Sequence, residues 1–214
     1  MKIKIDVENT FPQKRDLMGD FDLFINGFNG CDRVKYSKEL SGQTTTLKDI
    51  CRLSDITEKT VISAFDTDNY GIIKHSVGVF DRGKLIGISD MSVNLDGGAY
   101  MPGIGGKLYE TKSGKIGIAV GDDLFSFGLF KSLAVCGAEI IIAVSAFSKK
   151  EINSVILRAY SYLLGVPAVL IFSGGAYVSG VDGNLISPSN ENLEFEVFPL
   201  VDFILKTTKI KLKK

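Results

Sequence analysis

A single α/β domain built on a mixed sheet is the fold class this sequence predicts, on three observations. Strand-like and helix-like stretches alternate along the 214 residues, hairpin signals interrupt that alternation, and no linker or repeat divides the chain. That length suits one domain with a full core. The stretch that organises the rest is Gly114–Leu124. It passes from a turn glycine through an apolar strand, Ile116–Val120, into a Gly-Asp-Asp corner at 121–123, and then into an amphipathic helix carrying Leu124, Phe127, Phe130 and Leu133. A strand ending in such a corner is where α/β enzymes place nucleophiles and anion sites, because the following helix N-terminus offers unpaired N–H groups. Here Gly121 brings no side chain to it.

The other elements follow in order. Met1–Val7 alternates Lys with Ile and Val as a strand, and Glu8–Gly19 is a polar connection. Asp22–Ile25 is a short apolar strand stopped by Asn26-Gly27 and Asn29-Gly30. Thr46–Leu53 reads as a helix capped by Thr44, Thr45 or Thr46, and Lys59–Phe65 as the next strand. Lys74–Phe80 and Lys84–Ser89 form a hairpin through Asp81-Arg82-Gly83. Asn94–Gly106 is a glycine-rich loop without the Lys-Ser/Thr that a phosphate cradle needs, so a shaped loop is the better reading. Ala138–Ser145 and Val166–Phe172 are buried strands flanking the helix Glu151–Leu164. That helix repeats Ile152, Val155, Ile156, Ala159 and Leu163 at helical spacing and stops at Gly165. Ala176–Ile186 turns at Asp182-Gly183, and Leu193–Val197 is a late strand.

Composition excludes several function classes. The 25 Lys and Arg balance 25 Asp and Glu, which gives no support to nucleic-acid or membrane-surface binding by bulk charge. The basic cluster Lys206–Lys214 reads as a solvated end. No apolar run reaches about 18 residues and Met1–Val7 lacks a signal-peptide core, so a cytoplasmic protein is expected. Cys31, Cys51 and Cys136 are widely spaced, and His75 is the chain's single histidine. Together they argue against a disulfide scaffold, a metal site and a histidine-based triad. Alternation with Ile73, Val77 and Val79 makes His75 a strand side chain before it makes it a general base.

Several motifs in fixed order resemble one family. They are Gly83-Lys-Leu-Ile-Gly87, Tyr100-x-Pro-Gly103, Leu108-Tyr-Glu-Thr-x-x-Gly-Lys-Ile-Gly117, the corner Val120–Asp123, Gly137-Ala-Glu-Ile-Ile-Ile142, Arg158-Ala159, Gly174-Gly175 and Asp182-Gly183-Asn-Leu. Their order and spacing over residues 60 to 186 is similar to the nitrilase, or carbon–nitrogen hydrolase, superfamily. The resemblance implies a four-layer α-β-β-α sandwich, dimerised by helices packing face to face. It also implies hydrolysis or transfer at amide and nitrile C–N bonds through a Glu-Lys-Cys triad. The first 59 residues match loosely and leave little room for the family's first helix, so a reduced N-terminal helix layer is expected.

Carried over residue by residue, the triad fails. The nucleophile's position falls on Gly121, the lysine's on about Met91 and the general base's near Phe28, with Gly27 before it in place of the usual Pro; a second family carboxylate falls near Gly97. The chemistry needs a thiolate, a carboxylate to take its proton and a cation for the oxyanion, and all three roles are lost together. Two residues are considered as substitutes. Cys31 reads first as a small hydrophobe in a loop. Asp122, with Asp123, reads first as the N-cap of the following helix. Cys136 reads as helix packing, Lys107 and Glu110 as surface residues, and Arg158 as a residue of the dimer seam.

The reading favoured by the sequence is a pseudoenzyme of this fold, a binding or interaction subunit. It is expected to be a homodimer with a small-molecule ligand in the vestigial cleft, and no cofactor, metal, nucleic acid or membrane is implied. The alternative is an active hydrolase of small amides or nitriles working through Cys31 or Asp122. Val155, Leu157, Tyr160 and Leu164 are the apolar surface expected beyond the last helix's core stripe. A single parallel sheet would defeat the resemblance altogether.

Overall fold

The computed structural model describes residues 1–8, 10–28, 31, 33–95, 97–148, 151–189 and 193–196. Strands β1 (Lys2–Asp6), β2 (Leu23–Asn26) and β3 (Val34–Lys35) precede helices α1 (Tyr36–Leu40) and α2 (Thr46–Thr57). A meander follows, of β4 (Thr60–Asn69), β5 (Ile72–Asp81) and β6 (Lys84–Asp90). Next come β7 (Lys107–Thr111), β8 (Gly114–Val120), a 3-10 helix over Gly121–Phe125 and α3 (Phe127–Val135). The chain continues through β9 (Ile140–Ser148), α4 (Glu151–Leu164), β10 (Ala168–Ser173), β11 (Gly175–Ser179), β12 (Leu185–Ser189) and β13 (Leu193–Glu196). The basic cluster Lys206–Lys214 lies outside the described residues.

The strands form two mixed sheets. One runs β13-β1-β2-β4-β5-β6 with β3 also on β4, and the other runs β12-β11-β10-β9-β8-β7. Period-two alternation gives each strand an inner and an outer face. Ile3, Ile5, Ile25, Ile62, Val77 and Val79 of the first sheet meet Ile116, Ile118, Ile142, Val144, Val169 and Ile171 of the second in a dry core between them. Each such side chain contributes roughly 1.5–3 kcal/mol by its burial. Outside the first sheet Phe24, Val61, Phe65 and Phe80 pack with Ile50 of α2, and outside the second Ala119, Ile141 and Leu170 pack with Phe130, Leu133 and Leu157 of α3 and α4. The result is the four-layer α-β-β-α sandwich. Its N-terminal helical layer is thin: the parallel pair β1–β2 is joined through residues 7–22 by turns and not by a helix, among the described residues.

Local departures from the sequence reading have identifiable causes. β4 runs past Phe65 to Asn69, because Tyr70 (φ 51°) and Gly71 (φ 88°) make a tight turn of the type that matches strand twist. Arg82 (φ 48°) and Gly83 (φ 73°) repeat that turn at the predicted hairpin. Thr45 holds the N-cap position of α2 but makes no cap bond. Instead Glu39 of α1 accepts Thr46 N (3.0 Å) and Leu47 N (3.2 Å), so a neighbouring helix supplies the anion for this N-terminus. On α4 the expected stripe is inverted: Leu157, Ser161 and Leu164 are buried, while Ile152, Val155, Ala159 and Leu163 are exposed. Both stripes have helical period and similar hydropathy, so the spacing alone did not orient the helix. Cys136 is exposed at the C-cap of α3 and is not a packing residue.

Candidate functional site

The corner after β8 is built from three residues that the sequence aligned with chemistry. Gly121 has φ +58°, the left-handed region that favours glycine. A Cβ on residue 121 would lie 2.6 Å from Met91 Sδ, closer than real contacts allow, and 3.3 Å from its Cγ, a tight contact. Met91 is buried because it continues the β5–β6 ladder, its N–H donating to His75 O (2.9 Å) while its carbonyl accepts from Gly103 N (2.8 Å). Phe28, just past the end of β2, is buried in the same inner cluster. A thioether therefore fills the space at the corner that a side chain on residue 121 would need. Gly97 is exposed and has open space around it, so nothing converges there.

The two aspartates of the corner turn toward backbone. Asp123 Oδ1 accepts Ser92 N (2.9 Å), Ser92 Oγ (2.7 Å) and Val93 N (2.9 Å), and its Oδ2 accepts Val120 N (3.2 Å). Asp122 Oδ2 accepts Leu95 N (2.8 Å). Both are buried, and they fasten the 92–95 segment to the corner; the N-cap of α3 is Ser126, whose Oγ accepts Leu129 N (3.4 Å). This corrects the assignment of Asp122 and Asp123 as the caps of that helix. Burial pushes the Asp123 carboxyl up from its ordinary range, against the four hydrogen bonds that favour its charge. The glycine-rich loop is shaped by the same packing, since a Cβ at Gly103 would meet Asp90 Oδ2 at 2.2 Å and one at Gly105 would meet Asp123 Oδ2 at 2.8 Å. Lys107 donates to Ile88 O (2.6 Å), Glu110 pairs with Lys115 (3.4 Å), and Arg158 Nε donates to Gly183 O (2.8 Å), tying α4 to the late hairpin.

Beside the filled corner lies a cavity of about 130 Å³, lined by Phe28, Cys31, Arg33, Phe65, Asp66, His75, Tyr100 and Ala146. Its origin is a gap in the first sheet. β2 pairs with β4 at residues 60–63 and β3 pairs with it at 67–68, and no pairing of 64–66 on that side is seen among the described residues. Asp66 and His75 are direct partners across the β4–β5 ladder and point to the same face. His75 Nδ1 lies 2.7 Å from Asp66 Oδ1, and Tyr100 OH donates to Asp66 Oδ2 (2.9 Å). A carboxylate only accepts, so Nδ1 carries the proton of that bond. The imidazole stacks on Tyr100 (centroids 3.5 Å, 19° between planes) and meets Phe28 edge-on (4.9 Å, 68°). Burial pushes the Asp66 carboxyl up, but the bonds from His75 and Tyr100 and the charge of Arg33 outweigh it and hold the group below the usual range. Tyr100 is raised, by burial first and then by Asp66, which keeps its hydroxyl a donor. Cys31 is half-buried, its Sγ 3.5 Å from Ser63 Oγ, and packs against the outer core.

His75 is thus a strand residue, as its alternation predicts, yet it also holds a polar cluster that the sequence reading passed over. The available signal was the turn at Tyr70-Gly71, which stands midway between Asp66 and His75 and sets them opposite each other. The strand expected over Lys59–Phe65 ends one residue short of Asp66.

No protein-family model matches the chain, and no curated protein sequence matches it. Solved structures do. Saccharomyces cerevisiae Nit3, a member of branch 10 of the nitrilase superfamily, superposes with a TM-score of 0.70 at 18% identity, over 90% of this chain and 89% of that one. A carbon–nitrogen hydrolase from Helicobacter pylori gives 0.72 at 15% identity, over 91% and 87%. A variant of the amidase from Nesterenkonia sp. AN1, with the acetamide moiety of fluoroacetamide covalently added at its active site cysteine, gives 0.73 at 14% identity, over 91% and 88%. The chain has the fold of the nitrilase superfamily, over nearly its whole described length.

Proposed function

We propose that this protein is a nitrilase-fold pseudoenzyme, a binding or interaction subunit that keeps the carbon–nitrogen hydrolase scaffold without its hydrolytic chemistry. The observation that supports the reading is the packing of Met91 on Gly121: its sulfur lies 2.6 Å from where a Cβ on residue 121 would stand, the position that the resemblance gives to the nucleophile. Phe28, at the position the resemblance gives to a carboxylate, brings no group of its own to take a proton. Of the candidate substitutes, Asp122 is bonded to Leu95 N, and Cys31 lines the neighbouring cavity with its Sγ 3.5 Å from Ser63 Oγ. Retention of the corner's glycine geometry and of the aspartate bonds to the 92–95 segment suits a cleft kept for its shape.

The test is ammonia release from short aliphatic amides and nitriles by the purified full chain. Release at the buffer rate is expected; saturable release abolished by Cys31→Ser or Asp122→Asn would overturn the reading in favour of a hydrolase of non-standard chemistry.

The protein acts as a homodimer in this reading, with α4 at the seam. Ile152 (53% exposed), Val155 (54%), Tyr162 (50%) and Leu163 (36%) form an outward apolar stripe, flanked by Ile186 of the late hairpin. Sedimentation of a dimer that Val155→Lys dissociates is expected, and a monomer at high micromolar concentration would contradict it. No helix among the described residues is long and apolar enough to cross a membrane, and a cytoplasmic site of action is proposed with the rest.

A further inference from the structure

We propose that residues 97–102, the crown of the 92–106 loop, form a lid over the cavity beside the corner, with Tyr100 as its latch. The inference rests on the reading of the cleft as a binding site. Both feet of the loop are fixed. Ser92 and Val93 are fastened to Asp123, which is 0% exposed, and Leu95 N donates to the buried Asp122. At the other foot Gly103 N donates to Met91 O (2.8 Å), and Ile104 O accepts Asp90 N (3.0 Å).

The crown between the feet is held differently. Gly97, Gly98, Ala99, Met101 and Pro102 are exposed, and a Cβ on Gly97 or Gly98 would meet nothing within 4 Å. The crown closes on the side-chain amide of Asn94, which donates to Tyr100 O (2.6 Å) and accepts Gly97 N (3.1 Å), so it keeps its own shape when it moves. Among the described residues, two hydrogen bonds and one ring stack tie it to the first sheet. Tyr100 OH donates to Asp66 Oδ2 (2.9 Å), Met101 N donates to Ile73 O (2.8 Å), and the Tyr100 ring lies on His75 with centroids 3.5 Å apart. A segment with exposed backbone and one inward side chain opens at low free energy, whereas the buried feet open only with the core.

The latch sets what the cavity presents. Closed, Tyr100 covers one face of the His75 ring and occupies one oxygen of Asp66, and a half-open space of about 130 Å³ remains. Open, that ring face and that oxygen both front the cavity, and the space of a phenol ring is added to it. A ligand too large for the closed cavity therefore enters only with Tyr100 withdrawn.

Amide hydrogen exchange, followed by NMR of the isotope-labelled full-length protein, tests the lid. Met101 N–H should exchange at least about tenfold faster than Ser92 and Val93 N–H. Its rate should not change in urea below the unfolding transition, because opening the crown exposes little surface. Tyr100→Phe keeps the ring and loses the donor. It should speed Met101 about tenfold or more, as loss of a hydrogen bond to a charged group implies, and leave Ser92 and Val93 at their native rates. Equal rates for the three amides in the native chain, or a common acceleration in the variant, would show the loop opening as one piece and overturn the inference. So would a Met101 rate that Tyr100→Phe leaves unchanged. Exchange is read without substrate, so acetamide consumption would defeat the non-catalytic reading alone and a failed exchange test this inference alone.

Discussion

At the Gly121 corner the buried carboxylates turn inward to backbone N–H groups, while in the cavity next to it Asp66 turns to an imidazole and a phenol that face open space. The two aspartates respond oppositely. Burial dominates at Asp123 and raises it; hydrogen bonds and a cation dominate at Asp66 and lower it. The corner is a structural joint whose one vacant direction is closed by Met91, and the cavity is a half-open pocket lined by Asp66, His75 and Tyr100. The sequence resemblance therefore points to the half of the cleft that is closed, whereas the polar side chains that line open space lie in the other half.

The largest effect that would break this comparison is at the joint. Asp123→Ala leaves Ser92 N, Val93 N and Val120 N without their acceptor, and should cost about 3 kcal/mol by urea denaturation, since each buried orphan costs about 1–3 kcal/mol. A loss under about 1 kcal/mol would mean that water replaces the carboxylate and that the corner is as open as the cavity. Next, Gly121→Ala should cost about 2 kcal/mol, from the left-handed backbone and from contact with Met91. Met91→Ala should relieve the second part, so the double variant should be more stable than the sum of the singles by about 1 kcal/mol. Strict additivity would show that Met91 does not fill the corner.

A smaller effect is electrostatic. The lowered Asp66 contributes stability that is present above the unfolded carboxylate's value of about 3.9 and is lost as pH falls through its folded value. Asp66→Asn should therefore flatten the acid side of the thermal stability profile, with melting temperature followed below about pH 5. An unchanged acid slope would mean that the bonds from His75 and Tyr100 do not favour the charged form. The smallest effect is at Arg33, where Gln should change stability by less than about 0.5 kcal/mol, as expected of an exposed side chain away from packing. A larger loss would mean that the charge of Arg33 on Asp66 and Tyr100 is part of what holds the fold.

What was legible in the sequence follows the strength of local signals. The α4 bounds, the Arg82-Gly83 hairpin and the Gly114–Val120 strand were set by periodicity and turn chemistry, which act within a few residues. That residue 121 brings no side chain to the corner was legible too, because glycine has none, whereas the packing of Met91 against it was not. The outward face of α4 was not, since which of two apolar stripes packs is decided by the sheet beneath. Nor was the role of Glu39, which caps a helix seven residues on through a tertiary contact. The Asp66–His75–Tyr100 cluster needed the exact strand register plus a loop 25 residues beyond His75, and only the first was readable from the turn at Tyr70-Gly71.

The central claim, that this cleft no longer cleaves C–N bonds, is tested most directly by carbon-13 NMR of carbonyl-labelled acetamide incubated with the full-length protein. The amide resonance should persist unchanged, with no acetate signal above a protein-free control. Growth of an acetate carbonyl resonance over many turnovers would contradict the account and return Cys31 and Asp122 to consideration as catalytic groups.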